Sequence, residues 1–171
     1  MELQLLNLIH KLSCPFLNHF FIAVTSLGNA GKVWIILGIV LLLQKKYRTI
    51  GIGMLLSLLL TFFLGEEIIK PIIARNRPFT YNPEISILIH KPSSFSFPSG
   101  HTGSSFACGV FLFLCNKKLG IPALILASFI AFSRMYLYVH FPTDILGGIL
   151  LGSAVSCALY FSIFKKKLTG L

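Results

Sequence analysis

Long apolar blocks separated by short polar segments run along most of the chain. Within these blocks polar and apolar positions do not alternate, so the pattern favours helices over strands. The clearest block covers residues 49–69, where no charged residue occurs before Glu66. Since a helix of about 20 apolar residues crosses a bilayer, the pattern predicts an all-α bundle in a membrane. The other helical blocks are predicted at residues 16–27, 33–43, 99–115, 121–139 and 143–164.

The first 13 residues follow a different pattern. Apolar residues at positions 3, 5, 6, 8 and 9 have polar residues between them, which predicts a short amphipathic helix at the membrane interface. Pro15 ends this helix. Glu2, Lys11 and the lack of a small-residue cleavage site disfavour a cleaved signal peptide. The pattern leaves the depth and topology of residues 1–30 open.

Glycines mark a turn and a helix contact. Residues 28–31 read Gly-Asn-Ala-Gly, which predicts a turn between two helical blocks. Gly148 and Gly152, in the last block, form a pair of small residues at a spacing of four. This spacing is typical of closely packed membrane helices.

Composition excludes several classes of protein. A chain of 171 residues has the length of one domain, and we expect residues 1–171 to form a single membrane domain. Hydrophobic residues make up 55% and charged residues 12%, whereas about a quarter of the residues in a soluble domain are charged. The lipid bilayer is therefore the expected environment. The net charge of +10 falls in short clusters between apolar blocks, so we expect no nucleic-acid partner.

The cysteines indicate neither a disulfide framework nor a metal site. They show no paired spacing, and at least three lie in apolar blocks, where a buried thiol is an ordinary packing residue. The four positions are Cys14, Cys108, Cys115 and Cys157.

The basic clusters predict an orientation. Residues 45–48, 117–118 and 165–167 fall on one side if the helices alternate, and basic loops prefer the cytoplasm. Residues 70–98 and 134–143, which hold most of the remaining polar chemistry, then share the opposite side. We expect a multi-pass protein of a bacterial inner membrane whose site faces the extracytoplasmic side.

One polar segment near the end of the chain suggests catalysis. Asp144 is the only aspartate in the chain, and His140 precedes it by four residues. A carboxylate beside an imidazole fixes its tautomer, which leaves the other ring nitrogen free as a nucleophile or base. Arg134 adds donors suited to phosphate oxygens. The alternative is a polar membrane-edge loop with a structural ion pair.

Two further groups supply what phosphoryl transfer needs. Lys70 and Arg77 add cations that can neutralise charge on the equatorial oxygens. Ser99, Gly100 and His101 begin a helix, where free backbone N–H groups and the helix dipole favour an anion. His101 can also protonate a departing oxygen. The alternatives are interfacial anchors for the two cations and a simple turn with an N-cap at Ser99.

These residues together resemble the three-part motif of the type 2 phosphatidic acid phosphatase superfamily. Every motif position is filled, and the matching segments are Lys70-x6-Arg77-Pro78, Pro98-Ser99-Gly100-His101 and Ser133-Arg134-x5-His140-x3-Asp144. The resemblance implies a six-helix membrane fold and a metal-independent lipid phosphatase that uses no cofactor.

The resemblance also implies roles for individual residues. His140 resembles the nucleophile that forms a phospho-histidine, Asp144 its orienting partner, and His101 the general acid. The implied phosphate-binding set consists of Lys70, Arg77, Ser99, Gly100 and Arg134.

The substrate stays open at this stage, because a family likeness does not fix it. A membrane lipid phosphate is expected, and undecaprenyl diphosphate is preferred over phosphatidylglycerol phosphate or phosphatidate. A lipid-phosphate binder or transporter without turnover is the alternative from another class. The oligomeric state is left open.

Two acidic residues precede the first motif. Glu66 and Glu67 stand one helical turn before Lys70, and we expect one of them to pair with Lys70 or Arg75. The alternative is that one of these two glutamates is a second catalytic carboxylate. Arg75 is predicted to lie behind the substrate-binding residues.

Overall fold

The computed structural model describes residues 1–166, and these residues contain helices and no strand. The all-α prediction is therefore confirmed. The helices in chain order are α1 (Glu2–His10), α2 (Pro15–Leu27), α3 (Lys32–Leu43), α4 (Arg48–Phe62), α5 (Lys70–Ile73), α6 (Pro78–Tyr81), α7 (Gly100–Cys115), α8 (Lys117–Tyr136) and α9 (Pro142–Leu159). Two of them continue as π-helical segments, α4 through Phe63–Ile69 and α9 through Tyr160–Phe164.

Three helical stretches are long and apolar enough to cross a membrane. They are Arg48–Tyr81, Lys117–Tyr136 and Pro142–Phe164. Helices α2 and α3 meet at a bend of 48° and together have the length of a further span. Helix α7 is apolar but shorter, at 16 residues. The protein is thus a membrane protein built from helices, as the apolar blocks predicted.

Helix α8 begins earlier than the sequence predicts. The apolar block predicts a start at residue 121, after the basic residues 117–118. Instead, the side chain of Asn116 caps the helix by accepting hydrogen bonds from the backbone N–H groups of Lys118 and Leu119. An N-cap of this kind is worth about 1 kcal/mol, which lets the lysines start the helix.

Helix α7 occupies the centre of the bundle, between α4, α8 and α9. The close contact predicted from Gly148 and Gly152 is confirmed. A Cβ atom added to Gly148 would lie 2.8 Å from the carbonyl oxygen of Ser99 and 2.9 Å from Cβ of Thr102, and one added to Gly152 would meet the backbone of Gly103. The two backbones can approach this closely only because α9 carries glycine on this face.

The basic clusters share the end of the bundle opposite to the start of α7. Helix α4 starts at Arg48 and α7 ends at Cys115, next to Lys117 and Lys118. At this end the ring of Phe164 packs edge-on against Phe111 at 5.4 Å, just before Lys165. Lys167, the last residue of the third basic cluster, lies outside the described residues.

The predicted N-terminal helix is confirmed as α1, and it packs on the end of the bundle that holds the motif residues. Leu6 is fully buried beside Tyr138 and Phe141. Leu5 and Leu8 on the other face are 46% and 59% exposed. One face of this helix therefore contacts protein, and the other face is exposed.

Candidate active site

The three predicted segments meet around one cavity of about 610 Å³. Seven of the eight predicted site residues line it, and these are Lys70, Arg77, Ser99, Gly100, His101, Arg134 and His140. Asp144, the eighth, is fully buried behind His140. The three segments are far apart in sequence, and the packing of α4, α7, α8 and α9 brings them together. The predicted site residues therefore line or back a single pocket.

The protonation pattern of His140 follows from its neighbours. Its Nε2 lies 3.1 Å from Nη1 of Arg77. A guanidinium only donates hydrogen bonds, so Nε2 is the accepting, unprotonated nitrogen, and the proton of the neutral ring sits on Nδ1. This Nδ1 is buried and lies 3.4 Å from Oδ2 of Asp144, a long contact of the kind that shortens when substrate binds.

His140 is held in its neutral form. Burial, together with the charges of Arg77 and Arg134, lowers the pKa of this imidazole to about 3, although the contact with Asp144 acts in the opposite direction. The ring is 2% exposed. At neutral pH the Nε2 atom therefore carries an unprotonated electron pair, which accepts the hydrogen bond from Arg77 at the cavity wall.

Asp144 is fixed by three donors besides the histidine. Its Oδ2 accepts hydrogen bonds from the backbone N–H of Phe141 at 2.8 Å and from the hydroxyl of Ser96. Its Oδ1 accepts from Arg75 at 2.7 Å. A carboxylate with this many partners stays in one orientation, so the position of the His140 ring is fixed as well.

Arg75 lies behind the cavity wall, as predicted. Besides Asp144 it contacts Glu2 at 2.6 Å and Thr143 at 2.6 Å, and its guanidinium stacks on the ring of Phe141 at 4.0 Å. The first residues of the chain are thereby linked to Asp144 through one arginine.

Two of the three cations in the cavity are held by backbone and hydroxyl oxygens. Arg77 donates to the carbonyl oxygens of Val139 at 2.9 Å and Ser94 at 2.8 Å. Arg134 is 3% exposed and donates from Nη1 to the hydroxyl of Thr25 at 2.6 Å. The Nε of Arg134 has no hydrogen-bond partner among residues 1–166. These neutral acceptors leave both guanidinium charges uncompensated and able to attract an anion.

The third cation, Lys70, carries the predicted ion pair. Its Nζ lies 2.6 and 2.7 Å from the two carboxylate oxygens of Glu66, so the pairing with Glu66 is confirmed. The carboxylate sits directly above Gly100, where any added Cβ atom would collide with it. Glu66 thus occupies an anion position between a lysine and the N-terminal end of α7.

The start of α7 is built as an N-cap with a histidine beside it. The Oγ of Ser99 accepts from the backbone N–H of Thr102, and Gly100 and His101 form the first turn. The Nε2 of His101 lies 2.9 Å from the Oδ1 of Asn29, in the turn between α2 and α3. His101 therefore lines the cavity and connects the start of α7 to this turn.

The cavity continues from this charged end along apolar side chains of α3 and α4. Leu59 and Phe62 line it and are 61% and 56% exposed on the outside of the bundle. Ile35 of α3 lines it as well and is 40% exposed. A molecule with an anionic head and an apolar chain fits this arrangement.

A family model describes the same motif residues. The model of the PAP2 superfamily matches residues 49–168, which is more than half of the chain. The chain belongs to the PAP2 superfamily. The resemblance drawn from the motif is confirmed, and the match leaves helices α1 to α3 outside it.

The chain is similar to several phosphatases. An undecaprenyl-diphosphatase of Sulfolobus acidocaldarius is 34% identical over 91% of this chain and 75% of the relative. A phosphatidylglycerophosphatase B of Bacillus subtilis is 34% identical over 81% of this chain and 71% of the relative. The crystal structure of a PAP2 type phosphatidylglycerolphosphate phosphatase from Bacillus subtilis matches with a TM-score of 0.78 and 29% identity, over 98% of this chain and 85% of that one. The chain is thus a PAP2 phosphatase with a membrane-spanning fold.

Several polar residues at the PAP2 site escaped the sequence analysis. They are Glu2, Thr25, Asn29, Ser94 and Ser96, which contact Arg75, Arg134, His101, Arg77 and Asp144 respectively. The two serines lie in the proline-rich loop between the first two motifs, whose polarity was a usable signal. The other three precede the family match and carry no local pattern that marks them.

Proposed function

We propose that this PAP2 phosphatase releases phosphate from a membrane lipid through a phospho-histidine on His140. The observation that carries the proposal is the unprotonated Nε2 of His140, which faces the cavity beside Arg77 while Asp144 backs the ring. Nε2 attacks phosphorus, the bond to the leaving oxygen breaks, and His101 gives that oxygen a proton. Water then cleaves the phosphorus–nitrogen bond and releases inorganic phosphate.

The cations stabilise the transferring group. Arg77 and Arg134 are buried cations, and a preorganised charge in a buried site is worth more than the same charge in solution. The unpaired Nε of Arg134 supports a bound anion as its partner. Backbone N–H groups at Ser99 and Gly100 add donors at the helix start. We propose metal-independent catalysis because these groups already neutralise the equatorial oxygens.

Undecaprenyl diphosphate is the proposed substrate. The support is the similarity over 91% of the chain to an undecaprenyl-diphosphatase and a cavity that joins a cationic head site to an apolar groove. Phosphatidylglycerol phosphate is the second candidate, supported by the similarity to the Bacillus subtilis phosphatases.

We also propose a location for the reaction. The basic clusters lie at the end of the bundle opposite to the cavity, and such clusters prefer the cytoplasm. The site then faces the extracytoplasmic side of a bacterial inner membrane.

The decisive experiment measures phosphate release in detergent micelles from a panel of lipid mono- and diphosphates, with and without EDTA. We expect the highest kcat/KM with undecaprenyl diphosphate and no loss in EDTA. His140→Ala should lose at least about a hundredfold in kcat, whereas His19→Ala, an exposed histidine bonded only to the Pro15 carbonyl among residues 1–166, should keep full activity.

Each part of the proposal can fail separately in this assay. Unchanged turnover of His140→Ala would reject the nucleophile. Turnover that is lost in EDTA and restored by magnesium would reject metal independence. Binding of lipid phosphate without any release in the wild type would favour the binder or transporter.

A further inference from the structure

The turn between α2 and α3 contacts one edge of the His101 ring. Oδ1 of Asn29 lies 2.9 Å from Nε2, and a Cβ atom added to Gly28 would lie 2.8 Å from Cδ2 of the same ring. Ala30 and Gly31 have φ angles of 50° and 67°, so the backbone reverses in the left-handed region and keeps this turn against the start of α7. The Nε2–Cδ2 edge of the imidazole is thereby covered.

The opposite edge of the ring is available to the cavity. Nδ1 of His101 makes no hydrogen bond with any residue in 1–166, and the ring lines the same cavity as Arg134 and His140. We propose that Asn29 is a positioning residue, which keeps the proton on Nε2 and makes Nδ1 the atom of His101 that exchanges protons with the substrate. This inference rests on the phosphatase function proposed above.

The Nδ1 atom of His101 both donates the proton in the first step and accepts a proton in the second. Burial and the nearby cations lower the pKa of His101, and the negative charge of a bound phosphate opposes this effect and favours the protonated ring. The protonated ring then donates from Nδ1 to the leaving oxygen as the bond between oxygen and phosphorus breaks. The neutral ring that remains still holds its proton on Nε2, bonded to Asn29. Nδ1 then takes a proton from the water that attacks the phospho-histidine, which restores the starting state when phosphate leaves.

The two histidines of the site differ in the partner behind them. Asp144 is an anion, which stabilises positive charge as His140 becomes bonded to phosphorus. Asn29 is neutral, so it orients His101 without adding negative charge that would retain the proton. An acid that must give up a proton to a leaving group benefits from the neutral partner.

The test compares aryl phosphates whose leaving phenols differ in acidity. A good leaving group such as 4-nitrophenolate departs without a proton, whereas phenolate needs one. Because kcat/KM reports only the steps up to departure, Asn29→Ala should lower kcat/KM for phenyl phosphate about tenfold more than for 4-nitrophenyl phosphate. A residue that only supports the fold would lower both values equally.

Three variants serve as controls for this comparison. Asn29→Asp keeps an acceptor in place but adds the negative charge that retains the proton, so its ratio of the two substrates should lie between those of the alanine variant and the wild type. Asn29→Gln moves the acceptor by one methylene, should give an intermediate ratio, and replaces the alanine variant if that protein is unstable in thermal unfolding. Asn18→Ala removes another amide acceptor from α2, one that bonds the Tyr136 hydroxyl at 2.7 Å, and should leave the ratio unchanged.

The outcomes separate this inference from the proposed function. An equal loss on both substrates, no loss, or an aspartate variant that behaves like the alanine variant would reject the role of Asn29 alone. A wild-type protein that releases no phosphate from any ester would reject the proposed function.

Discussion

At the scale of single residues, the three cations of the site differ in whether a carboxylate pairs with them. Arg77 and Arg134 bond only neutral oxygens or nitrogens among residues 1–166. Lys70 instead forms an ion pair with the carboxylate of Glu66. That carboxylate lies above Gly100 at the helix start, so a phosphate that approaches both groups meets an anion already in place. We therefore expect Glu66 to compete with phosphate for Lys70.

Replacing this carboxylate by an amide should strengthen anion binding. We expect Glu66→Gln to lower the inhibition constant of vanadate or inorganic phosphate about tenfold, since about 1.4 kcal/mol of removed repulsion corresponds to a factor of ten. Competitive inhibition in the micellar assay measures this constant. Glu67→Gln, the exposed neighbour, is the matched control, and an unchanged or raised constant in Glu66→Gln would contradict the competition.

At the scale of elements, α1 completes the N-terminal end of α9. Pro142 has no N–H to offer, and the next N–H, that of Thr143, donates to Glu2 of α1 at 3.0 Å. The side chain of Asp144 accepts a hydrogen bond from the N–H of Phe141, the residue before α9. The first turn of α9 thus receives one of its caps from a helix 141 positions away in sequence, and the same Glu2 holds the arginine that contacts Asp144.

This capping predicts that the first helix contributes to both stability and turnover. Burial alone would raise the pKa of Glu2, but hydrogen bonds from Thr143 and Arg75 outweigh it and hold the pKa below its ordinary value of 4.5. The carboxylate is therefore charged and stabilising above that pH, and the stabilisation is lost as acid protonates it. We expect Glu2→Gln to lower stability by about 1 kcal/mol and kcat about threefold.

Thermal unfolding in detergent and the phosphate assay check both effects. Glu84→Gln, on an exposed loop position, serves as the control and should match the wild type. The difference in Tm between Glu2→Gln and wild type should shrink as the pH falls below 4.5. A difference that persists in acid would assign the effect to packing of α1 instead of its charge.

At the scale of the whole molecule, the bundle has two chemically different ends. Basic side chains gather where α4 begins and α7 ends, whereas the cavity opens where α4 ends and α7 begins. Helices that alternate in direction keep these ends apart across the apolar layer. The cavity therefore lies at one end of the bundle only, and we infer the side of the membrane that it faces from the basic clusters at the other end.

Labelling with a membrane-impermeant maleimide tests this orientation. In a background without native cysteines, His90→Cys lies in the loop at the cavity end and Lys118→Cys lies at the basic end, and both positions are exposed. We expect His90→Cys to react in intact bacterial cells and Lys118→Cys to react only after the membrane is permeabilised. The reverse pattern would overturn the extracytoplasmic site.

The sequence by itself determined the helices, their contacts through glycine, and the residues that meet at the cavity. These features follow from local patterns, because an apolar block predicts its own helix and a motif at a fixed spacing predicts its own chemistry. The error at the start of α8 arose because lysines after a capping asparagine looked like a loop.

Tertiary structure alone decided which residues stand behind the reacting groups. Thr25 reaches Arg134 over 109 positions and Asn29 reaches His101 over 72, and no pattern within α2 or the turn after it indicates either contact. Such contacts depend on how the helices pack, since burying a polar group is favourable only where a partner from another helix satisfies it. The tautomer of His140 was decided in the same way, by the guanidinium that packing places at its Nε2.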